Sequence, residues 1–128
     1  MRFATSVAGL TAVFVTATLC LDSSTSLAAG DPAAGQHVFA RCAGCHSTTP
    51  GENKIGPSLA DVVGRKSSTV AGYSYSPAMT GANVVWDDAA LDKFLASPAG
   101  FVHGTKMFLS IPDSTDRQNI IAYLDTLK

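Results

Sequence analysis

Residues 41–47 read "RCAGCHS", which places Cys42, Cys45 and His46 within five positions. Two thiols and an imidazole at this spacing serve three chemistries: a redox-active dithiol, part of a metal site, or the anchor of a larger group. The rest of the chain has to discriminate among them.

Upstream of the motif, the first thirty residues stand apart. "MRFATSVAGLTAVFVTATLCLDSSTSLAAG" carries Arg2 and then no charge until Asp22, with an apolar stretch followed by a small-residue tail. That order matches the three regions of a secretory signal peptide. Ser26 and Ala28 supply the small residues before the cut, so residues 1–28 are expected to be removed and residues 29–128 to form the mature domain. An uncleaved membrane anchor is the weaker reading, because the many threonines and the cleavage-like tail argue against it. Cys20 leaves with the leader; a lipoprotein would need a small residue where Leu19 stands. The destination is the periplasm or an equivalent oxidising compartment.

The chain has 128 residues, 46% apolar and 15% charged, which suits one small globular domain. After the leader only Cys42 and Cys45 remain, so at most one disulfide could form, closing a trivial loop. Small exported domains often need several disulfides to compensate for a thin core. Something else must complete this one. The mature segment has eight cations and nine acids. No basic face for phosphate binding follows from that balance, and a nucleic-acid partner is excluded.

Three helical stretches stand out. "GDPAAGQHVFARC" opens with Asp31 as a cap and Pro32 at the first helical position, and it delivers the chain into the cysteine motif. "WDDAALDKFLASP" is capped by Asp87 or Asp88, shows Leu91, Phe94 and Leu95 on one face, and stops at Pro98. "DSTDRQNIIAYLDTLK" is capped near Asp113 or Ser114 and carries Ile120, Ile121, Leu124 and Leu127 at helical spacing. Between them run long Gly-, Pro- and Ser-rich segments, with a short helix expected in "LADVVGRK" and almost no strand pattern. Loops this long need a cause in a compact domain. A large apolar guest would supply one.

For the motif itself, a thioredoxin-like dithiol needs a strand before it, and none is predicted. Structural zinc needs four ligands, for which His37 or His103 would have to join Cys42, Cys45 and His46. Zinc would leave the Met, aromatic and Gly-rich loops without a role. The third reading is covalent heme attachment, with both thiols added to heme vinyl groups and His46 on the iron. The sixth-ligand candidates are then Met79, Met107, His103 and His37. Met79 reads as core, His37 as helix surface, and Met107 lies in the Gly-containing loop "HGTKMFLS".

Taken in order, "GDPAAGQHVF", "CAGCH", "GPSL", "VGRK", "GYSYSPA", Trp86, "FLASP", "GTKM" and "IIAYL" resemble a small class I cytochrome c of the mitochondrial and bacterial type. The resemblance covers essentially the whole mature chain. It implies an all-α fold: three main helices, a short helix and long loops wrapped round one covalently bound heme c. It implies thioethers at Cys42 and Cys45 and iron ligation by His46 and Met107. Pro57 would accept a hydrogen bond from His46 through its carbonyl. Tyr75 and Trp86 would bond a propionate with Arg65 nearby, and Thr105 would contact the heme beside Met107. Gly35 and Phe39 would pack against Ile120 and Tyr123 where the terminal helices cross.

The implied function is non-enzymatic: a soluble, monomeric carrier of one electron. Its partners would be membrane redox complexes (a bc-type reductase, a terminal oxidase or a photosynthetic reaction centre) or a periplasmic dehydrogenase. The alternative is a heme enzyme, such as a peroxidase or gas-binding protein, with a displaceable sixth ligand. Arg41, Lys54 and Lys106 would ring the heme edge as a docking patch. This chain has Phe94 where the family commonly has a tyrosine, Met79 for a buried asparagine, Leu109 for a phenylalanine and His103 for a proline. His103 reads first as an exposed loop residue, and second as a replacement ligand when the loop opens, as Lys106 would be at alkaline pH.

Overall fold

The computed structural model describes residues 29–128; the expected leader and Cys20 lie outside the described residues. Among the described residues five helices follow in order: α1 (Pro32–Phe39), α2 (Pro77–Gly81), α3 (Asp88–Ala96), α4 (Pro98–Phe101) and α5 (Ser114–Asp125). Among the described residues there is no strand, only an isolated bridge between Lys66 and Val85.

Each main helix starts where its cap is. The Asp31 carboxylate accepts from the Ala33 and Ala34 N–H groups with Pro32 opening α1, Asp87 accepts from Ala90, and Asp113 from Asp116. These oxygens satisfy orphan donors of the first turn. After Ala96 the chain breaks at Ser97 and restarts at Pro98 as the single turn α4, proline being tolerated at a helix start and not in its interior.

The terminal helices α1 and α5 cross at glycine. A Cβ at Gly35 would run into the backbone carbonyl of Asn119, and one at Gly30 into that of Gln118. Asp31 N–H donates to Asn119 Oδ1 at 2.8 Å, and the rings of Phe39 and Tyr123 stand 5.3 Å apart. The expected crossing is therefore present, with the Asn119 backbone as the closest partner of Gly35. Ile120 and Leu124 carry the apolar face of α5 into the core beside Leu91, Phe94 and Leu95 of α3.

Two local expectations are corrected. "LADVVGRK" is a series of turns, not a helix, with Asp61 at φ +54° and Gly64 at φ +86°. Left-handed positions interrupt a right-handed helix. Leu127 lies beyond the end of α5 and is half-buried; its carbonyl instead accepts from Asp61 N–H at 2.9 Å. The additional short helices are α2 and α4, both in stretches read as loop. Ser76 caps α2 by accepting from Met79 N–H, and Pro77 opens it.

Candidate cofactor site

The apolar core does not close on itself. Cys42, Met79 and Phe94 are buried core residues, and they also form part of the wall of a cavity of about 460 Å³. Cys45, His46, Tyr75, Thr105 and Met107 line the same cavity. A smaller recess of about 90 Å³ shares Cys42, His46, Phe94 and Met107 with it and is backed by Arg65, Trp86 and Leu124.

The cysteine motif follows α1 as a turn. Ala43 N–H returns to the Phe39 carbonyl, and both Cys45 and His46 donate their N–H groups to the Cys42 carbonyl at 3.0 and 2.9 Å. This folding brings both sulfurs and the imidazole to one cavity, with Cys42 buried and Cys45 exposed. Burial raises the Cys42 thiol above its usual pKa, with the Arg41 charge acting in the opposite sense. A helix, not a strand, precedes the motif, which disfavours the dithiol reading. Among the described residues no group of three or more His, Cys, Asp or Glu side chains converges as a metal site, and His37 and His103 are both exposed. The four-ligand zinc arrangement is not assembled.

His46 is fixed in orientation. Its Nδ1 lies 2.7 Å from the Pro57 carbonyl oxygen. A carbonyl only accepts, so Nδ1 carries the proton and Nε2 keeps its lone pair. Burial lowers the His46 pKa and the Pro57 bond acts against that, so the ring is held as neutral imidazole, the form that binds metal. Gly56 N–H in turn donates to the Cys45 carbonyl at 2.7 Å, stitching the 56–57 segment to the motif.

The remaining expected residues divide between the two spaces. Tyr75 and Thr105 line the main cavity; the Tyr75 hydroxyl accepts from Val70 N–H at 3.2 Å, and Thr105 Oγ1 accepts from Met107 N–H at 3.3 Å. Trp86 and Arg65 line the recess, where the indole packs on Phe94 with ring centroids 5.0 Å apart. Arg65 donates to the carbonyls of Ala60 and Ser58 at 2.5 and 3.0 Å, which braces the loop just after Pro57. Burial lowers its pKa, yet a guanidinium remains charged.

Sequence reasoning missed several contributors. Asn53 braces two loops at once: its Nδ2 donates to the Ala71 carbonyl at 2.9 Å and its Oδ1 accepts from Ser58 N–H at 3.1 Å. Tyr73 lines the cavity and donates its hydroxyl to the Ile55 carbonyl at 2.9 Å. The Ser-Pro pair at 76–77 was a legible start signal for α2. For Asn53 and Tyr73 there was no local signal, because the partners Ala71 and Ile55 each lie 18 residues away.

The donor set fits a large, flat, mostly apolar group carrying a metal. Two thiols share a wall with a neutral imidazole of fixed tautomer, and a thioether, Met107, lines the same space. Comparison with known proteins agrees. A family model described as cytochrome c matches residues 32–128. The chain is 45% identical to the cytochrome c2 of Rhodoblastus acidophilus over 102 residues, covering 78% of this chain and 95% of that protein. It is 50% identical to the cytochrome c of Euglena viridis over 101 residues, covering 77% and 99%. Among solved structures, cytochrome cH from Methylobacterium extorquens superposes with a TM-score of 0.71 at 43% identity, over 76% of this chain and 99% of that one.

Proposed function

The chain belongs to the cytochrome c family, and on that premise we propose that His46 and Met107 are the residues that would ligate its heme iron. The chain is an electron-transfer cytochrome with covalently bound heme c, and Cys42 and Cys45 stand at the motif that carries the thioethers. The observation that carries the ligand assignment is that Cys42, Cys45, His46 and Met107 line one cavity. Bound there, the heme supplies a one-electron ferric/ferrous couple whose potential Met/His ligation raises. The chain's own part is orientation and exclusion. Pro57 holds the imidazole, and Phe94 and Met79 exclude water from the wall. Tyr75, Trp86, Arg65 and Thr105 are proposed to contact the heme periphery; their positions along the two spaces support that reading.

A heme enzyme would need an open coordination position, and a thioether in the cavity wall speaks against one. The test is optical. The ferric holo-protein is expected to be low-spin with a Met–iron band that Met107→Ala abolishes. An unchanged spectrum in that variant would remove the assignment.

The proposed partners are membrane redox complexes or a periplasmic dehydrogenase, met by a monomer. Large exposed apolar side chains gather at the cavity mouth: Ile55, Phe108 and Leu109 are 77, 89 and 36% exposed. Arg41 and Lys106 line the same mouth, and Lys54 neighbours Ile55. An apolar centre with a cationic rim is the anatomy of a docking patch for an acidic partner. We place the mature domain at residues 29–128 and the protein in the periplasm. Among the described residues no helix is long and apolar enough to cross a membrane. N-terminal sequencing of the exported protein is expected to start at Ala29.

A further inference from the structure

Met107 sits on a span of chain held at both ends. Upstream, Thr105 N–H donates to the Val102 carbonyl at 3.0 Å, and Lys106 Nζ reaches the Ser74 carbonyl at 2.7 Å. Downstream, Phe108, Leu109 and Ser110 enter no protein hydrogen bond among the described residues. The next fixed point is Ile111, fully buried, whose N–H donates to the Leu95 carbonyl at 2.8 Å.

Arg117 of α5 grips that point. Its Nη1 donates to the carbonyls of Ile111 and Pro112 at 3.0 and 2.7 Å, and its Nε donates to Asp92 Oδ1 of α3 at 2.7 Å. Its side chain is 13% exposed, although Asp92 is 43% exposed and the Pro112 carbonyl lies at the surface. Pinning α3 to α5 would need only the Asp92 contact. The two bonds to consecutive carbonyls go further, fixing the exit of the Met107 loop against the helix that carries Phe94 and Leu95. A guanidinium does this because its donors diverge in one rigid plane, which an ammonium cannot match.

We propose that Arg117 is a positioning residue for Met107: through Ile111 and Pro112 it holds the downstream end of the loop so that the thioether keeps its place against competing ligands. The inference rests on the assignment of Met107 as an iron ligand. A thioether is a weak ligand on a loop with three untethered residues beside it, so the population of open loop sets how readily a competitor enters.

The experiment titrates ferric holo-protein with imidazole, follows the Met–iron band, and measures denaturant stability alongside. Arg117→Ala is expected to bind imidazole about tenfold more tightly than the unmodified protein, in line with the loss of charge-assisted hydrogen bonds. Arg117→Lys falls between the two, and Asp92→Asn, which still offers Oδ1, changes least. Ile121→Ala, a buried α5 change away from both spaces, controls for lost stability and leaves imidazole affinity near the starting value. Arg117 variants that match Ile121→Ala in imidazole affinity would overturn the positioning role. Should Arg117→Ala not fold, the ordering of Arg117→Lys above Asp92→Asn decides it, and equal affinities count against the proposal. Failure of the underlying assignment looks different: the unmodified protein would then lack the Met–iron band and bind imidazole no less tightly than Met107→Ala.

Discussion

The backbone of Gly56 is packed so close to the imidazole of His46 that a Cβ built on it falls 2.7 Å from Nδ1 and 2.8 Å from Nε2. The ring cannot yield, because Nδ1 is tied to the Pro57 carbonyl on the neighbouring residue. Gly56→Ala is therefore expected to tilt the ring or break that bond. The loss of holo-protein stability should be about 1–3 kcal/mol, with lower heme incorporation. Denaturant titration and the yield of heme-bearing protein check both.

The crossing of α1 and α5 makes a harsher demand. The obstacle to a side chain at Gly35 is the Asn119 carbonyl, and backbone does not swing aside as a side-chain tip does. Gly35→Ala should cost about 3 kcal/mol by forcing the terminal helices apart. Gly81, at the end of α2, has nothing within 4 Å of its would-be Cβ. Gly81→Ala is the matched control and should be neutral or stabilising by about 0.5 kcal/mol. Equal effects at the two sites would contradict the packing account.

Phe94 is buried between Trp86 and the cavity, and Met79 adds a second apolar group to the wall. Phe94→Tyr places a hydroxyl there that must find a partner or go unsatisfied, a cost of about 1–3 kcal/mol if it finds none. The expected outcome is a shifted reduction potential and displacement of Met107 at lower pH. Voltammetry and a pH titration of the Met–iron band measure these; no change in either would mean that Phe94 does not face the heme.

Docking separates into a steering part and a binding part. Charge reversal at Arg41 or Lys106 should slow electron transfer to an acidic partner and flatten its decline with ionic strength. Phe108→Ala should instead raise the dissociation constant, by roughly 1–2 kcal/mol if the ring fills an apolar pocket on the partner, and leave the salt dependence unchanged. Stopped-flow rates against salt distinguish the two.

Glu52 accepts a hydrogen bond from the Ser47 hydroxyl at 2.6 Å, and that bond, with one from Thr49, holds its pKa below the usual carboxylate value. The unfolded chain then binds more protons than the folded one near the carboxylate range, so this contribution is complete above the ordinary pKa and is lost as pH falls through the lowered one. Glu52→Gln should lower stability slightly at neutral pH and converge on the parent protein as pH falls below about 4.5, so that its acid limb is shallower. Denaturation midpoints at a series of acid pH values test the sign.

Much of this was legible from short-range patterns. Asp31, Asp87 and Asp113 were readable as caps because a cap and its helix lie within four residues. Cys42, Cys45 and His46 were readable as one attachment site for the same reason. The three main helices and the need for an apolar guest followed from periodicity and loop length. α2 was overlooked although Ser76 and Pro77 mark its start, because five residues are too few to show a period. The turn series at 59–66 was mistaken for a helix because nothing local announces Asp61 in the left-handed region.

Charged side chains were the least legible. Arg65 is expected beside a propionate and Arg117 carries no expected role, yet both put their guanidinium groups onto backbone carbonyls. What the residue order determined alone is the attachment chemistry and the helices around it, since those depend on atoms a few positions apart. Only the folded chain decided which loops Asn53 braces, which wall Met79 completes and which end of the Met107 loop Arg117 anchors. These contacts join loops whose separation in sequence carries no periodic trace, and they exist only once α1, α3 and α5 have brought the loops together around one cavity.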